Sequence, residues 1–168
     1  MRAHSLSGMR RFYITLALGV IGAAAVLAQD AQTPRERLTP KEIKWPAVPT
    51  AAVGTSGAAG LQTVLKGDPA KAGLYTMLLR VHPNTKIQAH SHKDDRTAVV
   101  LSGVWYFGYG REFNDAALKE LPAGGFYTEP PGAEHFAMTK GPEAIIEITG
   151  YGPSATAYVD ARNDPAKK

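Results

Sequence analysis

After Gly60 the chain runs in short apolar segments separated by Gly, Pro and Asp, the pattern of an all-β sandwich or barrel. It predicts strands at Leu61–Lys66, Gly73–His82, Lys86–His92, Arg96–Leu101, Val104–Tyr109, Gly125–Glu129, His135–Thr139, Ala144–Thr149 and Thr156–Asp160. Helix is scarce. Asn114 through Leu121 (NDAALKEL) opens on a good N-cap residue and is stopped by Pro122, which predicts one short outer helix of two turns. No internal repeat is present.

The first sixty residues read differently. Arg2, Arg10 and Arg11 precede an uncharged run from Phe12 to Ala28, and Val26-Leu27-Ala28 supplies the small residues a signal peptidase reads. This layout predicts a secretory signal over 1–28 with cleavage before Gln29, and Met9 is an alternative start. The competing reading is an uncleaved anchor, although the run falls short of the ~20 residues that span a bilayer. Residues 29–60, rich in Pro, Ala, Gly and Thr, read as an arm in which Trp45 seeks an apolar partner on the body. The expected organisation is therefore a leader (1–28), an arm (29–60), one β domain (61–160) and a short tail (161–168). The destination is periplasmic or secreted, with no membrane contact once the leader is gone.

Charge and cysteine content narrow the function classes. The chain has 19 Lys+Arg and 15 Asp+Glu, and subtracting Arg2, Arg10 and Arg11 lowers the basic count to 16, so the mature part is nearly neutral. Without a basic block, nucleic-acid binding has no electrostatic support. With no cysteine there is no disulfide framework, so an exported domain must rely on its core and on any metal it holds.

Three histidines fall into two short patterns. His90-Ser91-His92 is followed by Lys93-Asp94-Asp95, then Arg96, then Gly103. Gly124 is followed by Pro130-Pro131-Gly132 and then His135. Side chains two apart on a strand share a face, so His90, His92 and Arg96 can point to one side unless a turn at Asp94 breaks the register. The Pro-Pro-Gly turn re-aims the chain so that His135 can begin a returning strand facing the same interior. Three imidazoles suit Fe, Zn, Cu or Ni better than Mg or Ca. His82, before Pro83, reads as a surface or rim residue.

These spacings resemble the two motifs of the cupin superfamily. His90, His92 and Gly103 match the first, and Gly124, Pro130, Gly132 and His135 the second. Asn84 stands for the opening Gly, Thr139 for the closing Asn, and Arg96 for the metal-binding Glu. The resemblance covers about Gly60 to Asp160, and HSHKDDRTAVVLSGVWYFGYG looks like a branch of small cupins. It implies a double-stranded β-helix, a jelly-roll-like barrel of the RmlC type, with a divalent transition metal on His90, His92 and His135. Fe(II) is favoured, and Zn, Ni, Cu or Mn are alternatives.

Arg96 alters the electrostatics of such a site. A dication and a guanidinium 5 Å apart repel by about 6–7 kcal/mol at an effective dielectric near 20. Either Arg96 is paired with an internal acid (Glu129, Glu134, Glu147, Asp94 or Asp95), or an anionic substrate lies between it and the metal in a bidentate clamp. Asp94-Asp95 reads as a solvated turn. One set from Trp105, Phe107 and Tyr109 or from Tyr106 and Gly108 must face inward, and Phe126, Tyr127 and Phe136 read mostly as core.

Two functions follow. In the first, resemblance to three-histidine dioxygenases, including thiol dioxygenases in which an arginine holds the substrate carboxylate, implies an oxidoreductase. Arg96 would then anchor a small anionic substrate, and Tyr127 or another pocket tyrosine would donate a proton. In the second, the protein is a non-catalytic module of the cell envelope that binds a metal or a small metabolite. A homodimer is compatible with either.

Overall fold

The computed structural model describes residues 35–47 and 60–164; the predicted leader, most of the arm and residues 165–168 lie outside them. Ten strands occur among the described residues. They are β1 (Gly60–Lys66), β2 (Gly73–Val81), β3 (Lys86–His92), β4 (Arg96–Ser102), β5 (Val104–Tyr109), β6 (Lys119–Pro122), β7 (Phe126–Glu129), β8 (His135–Met138), β9 (Ala144–Gly152) and β10 (Thr156–Tyr158). All pair antiparallel in two five-stranded sheets, ordered β1-β2-β9-β4-β7 and β10-β3-β8-β5-β6.

The core forms because these strands bury every second residue. In β9, Ala144, Ile146 and Ile148 point inward between half-exposed neighbours, and in β2 Tyr75, Met77, Leu79 and Val81 also join the core, with Leu78 buried between them. Trp105, Phe107, Leu121 and Ala137 meet them from the other sheet. Each large apolar side chain so buried contributes about 1.5–3 kcal/mol of transfer free energy. The chain changes sheet at nearly every connection, so residues close in sequence end up on opposite walls.

Two expectations need correction here, the helix and Asp94. The two-turn helix over Asn114–Leu121 is instead a single 3₁₀ turn, Asp115–Ala117, followed by strand β6. Asn114 does cap that turn, its Oδ1 accepting from Ala116 N at 3.0 Å. Beyond it, Leu118 is extended and Leu121 pairs with Trp105 and enters the core, a gain that an isolated two-turn helix cannot match. Pro122 ends β6, at the sheet edge where its missing N–H is tolerated. Trp45 is half-buried, with the guanidinium of Arg80 over its ring, 5.8 Å from the centroid. Asp94 is buried, not solvated, whereas Asp95 is exposed as expected.

Candidate metal centre

His90 and His92 lie on β3, and His135 begins β8 directly opposite His90. A register shift in the β3–β8 pairing between Ile87 and His90 turns both of those residues inward, although three positions separate them. After His92 the turn Lys93-Asp94-Asp95 carries the chain to the opposite sheet, so Arg96 faces the histidines from β4 instead of lying beside them. The Pro130-Pro131-Gly132 turn is tied to the end of β3 by Gly132 N donating to His92 O at 2.8 Å, and its glycine takes a φ of 73°. Asn84 occupies a left-handed φ of 53°, which asparagine tolerates, and its Oδ1 accepts from Gly141 N. At the opening-glycine position, then, asparagine keeps the turn. Exposed His82 lies outside the cluster.

The three rings are at most 4% exposed, and one ligating nitrogen from each lies within 4.8 Å of the others. Nδ1 of His90 donates to the Gln88 carbonyl at 2.7 Å and Nδ1 of His135 to the Ala133 carbonyl at 2.9 Å. A carbonyl only accepts, so these bonds place the proton on Nδ1 and leave Nε2 with a lone pair directed inward. Nδ1 of His92 lies 3.2 Å from Thr156 Oγ1. Burial, reinforced by the charge of neighbouring groups, holds His90 at about 4 and His92 well below its ordinary value; burial also holds His135 at about 4. All three imidazoles are neutral at pH 7, the state a metal requires. His135 Nε2 is buried with no hydrogen-bond partner, and an inward lone pair of this kind fits a metal ion.

The facing wall carries Arg96 and Glu129, cross-strand neighbours on β4 and β7. Arg96 Nε lies 2.9 Å from Glu129 Oε2, with the two side chains 0% and 6% exposed. Of the two arrangements considered for Arg96, this is the internal pair, with Glu129 as its acid. The same carboxylate reaches the histidines: Oε2 is 3.5 Å from His92 Nε2 and Oε1 is 3.7 Å from His135 Nε2. Asp94 accepts from the Tyr75 hydroxyl at 2.6 Å. Burial pushes the Tyr75 phenol up to about 12, with the positive charge of Arg96 acting against the shift. Glu134 pairs with Arg111 at the surface, and Glu147 is half-buried.

Trp105 and Phe107 are the inward set of β5, while Tyr109 is half-exposed and donates to the Thr128 carbonyl. Phe107 packs between Tyr127 (ring centroids 4.2 Å apart) and His135 (5.3 Å). Tyr127 is buried, and burial followed by the Glu129 carboxylate pushes its phenol well above the ordinary range, so it keeps its proton. Phe126 is exposed rather than core. The histidines, Tyr127 and Glu129 line a cavity of about 20 Å³. A second cavity of about 370 Å³ opens between β5, β6 and β7, and Phe107 and Tyr127 line both.

The residue that the sequence left undistinguished is Glu129. Its signal was available, because the strand FYTE places Tyr127 and Glu129 on one face, and an acid on a face that buries a tyrosine needs a cationic partner.

No family model matches the chain, and no curated protein matches it by sequence. Solved structures do. A polyketide cyclase from Streptomyces resistomycificus superposes with TM-score 0.57 at 16% identity, over 80% of this chain and 92% of its own. A sugar phosphate isomerase of the cupin superfamily from Silicibacter pomeroyi gives 0.52 at 17% identity, over 73% and 81%. An RmlC-like cupin from Shewanella frigidimarina gives 0.51 at 16%, over 71% and 93%. At such identities the likeness speaks to architecture, and together with the two five-stranded antiparallel sheets it establishes that the chain has the cupin fold, a double-stranded β-helix of the RmlC-like type.

Proposed function

We propose that this chain is an exported metal-binding cupin that holds one divalent transition ion, Fe(II) in preference, through Nε2 of His90, His92 and His135. Three neutral imidazoles, two of them fixed at Nδ1 by backbone carbonyls and all converging on one buried point, carry this reading. A bound ion supplies Lewis acidity and open positions for a small oxygen ligand. The protein's own residues do the rest. Leu79, Ile87, Phe107 and Ile148 exclude bulk water, and Tyr127 holds a phenolic proton beside the cavity. At about 20 Å³ that cavity admits a molecule the size of water.

The dioxygenase-like reading adds a small carboxylate substrate. Arg96 is engaged by Glu129, so the substrate clamp, the other arrangement open to it, is not what supports this reading. Support comes instead from the 370 Å³ cavity beyond Phe107 and Tyr127, large enough for a small organic ligand and lined in part by Lys119. The alternative, a non-catalytic binding module, is favoured by the tightness of the inner cavity.

Metal analysis of the purified mature chain tests the core of the proposal. About one transition ion per chain is expected, most of it lost in His90→Ala, His92→Ala or His135→Ala and retained in His82→Ala. Equal metal in wild type and the His90/His92 double variant overturns the site. Oxygen uptake by the iron-loaded protein over a panel of carboxylates then separates enzyme from binding module, since uptake that ignores every carboxylate removes the dioxygenase reading.

A further inference from the structure

Within that metal reading, we infer that Glu129 is the fourth protein donor of the centre and that Arg96 is the residue that aims it. The first argument is the polarity of the atoms facing one another. His135 Nε2 carries a lone pair because its Nδ1 proton is given to a backbone carbonyl, and it faces Glu129 Oε1 at 3.7 Å. His92 Nε2 faces Oε2 of the same carboxylate at 3.5 Å. At His135 this sets acceptor against acceptor in a buried site, which is repulsive, and a cation seated among these groups turns that contact into an attraction.

The second argument is spacing. Donors about 2.0–2.2 Å from a tetrahedral ion lie about 3.3–3.6 Å from one another, from the geometry of the tetrahedron. One such edge is met, Oε2 of Glu129 lying 3.5 Å from His92 Nε2, while its other oxygen, Oε1, lies 3.7 Å from His135 Nε2. Position adds a third argument. The histidines all come from the sheet containing β3 and β8, and Glu129 comes from β7 of the other, so it closes the side of the site they leave open.

Charge supports the same assignment. The buried charged side chains among the described residues, apart from histidine, are Asp94, Arg96 and Glu129, a formal sum of −1 around the cluster. Arg96, ion-paired with Oε2 from the neighbouring strand, neutralises part of the carboxylate and holds it in place while Oε1 faces His135. Arg96 is thus a positioning residue, and Glu129 both answers its charge and offers the ion an oxygen donor.

The test compares Co(II) binding, by chelator competition and by visible d–d absorption, in the full mature chain and in Arg96→Met/Glu129→Gln. That double substitution removes one positive and one negative charge together. If Glu129 is a donor, affinity falls by more than about 100-fold, beyond the 10–100-fold typical of outer-sphere partners, and the absorption envelope changes with the donor set. If Glu129 is only the counter-ion of Arg96, affinity stays within a few-fold of wild type with an unchanged spectrum, and the inference is overturned. Should the double variant not fold, Glu129→Asp, which keeps the charge but withdraws the oxygens by one methylene, gives the same two readouts. A wild-type chain that binds no Co(II), Zn(II) or Fe(II) overturns the metal centre itself, and the Glu129 assignment with it.

Discussion

Replacing Arg96 with methionine removes the one buried Lys or Arg among the described residues, which faces Glu129, and leaves most of the side chain's volume filled. With the pair 2.9 Å apart and almost fully buried, its Coulomb energy at an effective dielectric near 20 is about 6 kcal/mol. Measured losses on breaking buried pairs are about 3–5 kcal/mol, since water and local relaxation absorb part of the stranded charge. For a domain of this size each kcal/mol moves the midpoint by roughly 3–6 °C, so the metal-free variant should melt about 10–30 °C below wild type. Zinc should recover a larger share in the variant than in wild type, because the ion takes over the neutralisation of Glu129 and no longer meets a guanidinium. Arg96→Lys should fall between the two, as an ammonium keeps the charge without the planar donor fork. Differential scanning calorimetry of the three proteins at pH 7.5, with and without zinc, reads this directly. A metal-free Arg96→Met midpoint within about 3 °C of wild type, or a zinc shift equal in both proteins, refutes the reasoning.

The stability of the metal-free protein should depend on pH through its histidines. His90 and His135 titrate at about 4 in the fold against about 6.5 when unfolded, so between those values the unfolded chain binds more protons. Stability is fully present above pH 6.5 and falls as the pH drops toward 4, by up to roughly 3 kcal/mol per histidine. Denaturant melts at pH 7.5 and 4.5 that give the same midpoint rule this out. Tyr75→Phe deletes the hydroxyl that donates to buried Asp94 and should cost about 1–3 kcal/mol, seen as a lower melting midpoint. Gly150→Ala should destabilise at least as much, because a β-carbon there would meet the Tyr75 hydroxyl at 2.6 Å and Asp94 Oδ2 at 2.9 Å. A Gly150→Ala protein as stable as wild type would show that this corner of the core can move aside.

Much of the architecture was readable because alternation is a local signal. Every predicted strand has its counterpart among the described residues, since apolar segments bounded by Gly, Pro and Asp need no knowledge of their partners. Strand β6 was unreadable for the opposite reason. KELP has no alternation of its own worth noting, and only the edge of β5 and the core position of Leu121 make it a strand. At the site, spacing identified three histidines, and the structure brings them together. What spacing could not supply was the register across strands. Arg96 and Glu129 lie far apart in sequence and become neighbours only once β4 and β7 pair. The inward turn of both Ile87 and His90 likewise depends on an irregularity in the β3–β8 ladder, which strict alternation does not foresee.

The placement of imidazoles on one wall and the Arg96–Glu129 pair on the other makes the distance between the sheets a caliper for whatever sits between them. That gap, about 10 Å in packed sheets, is set by the side chains that fill it along its whole length. Ile146 and Val100, absent from the lining of the inner cavity, therefore help to set its jaws. Trimming them would draw the walls together and favour smaller ions, while enlarging them would open the seat, so selectivity would be tuned by residues that never touch the metal.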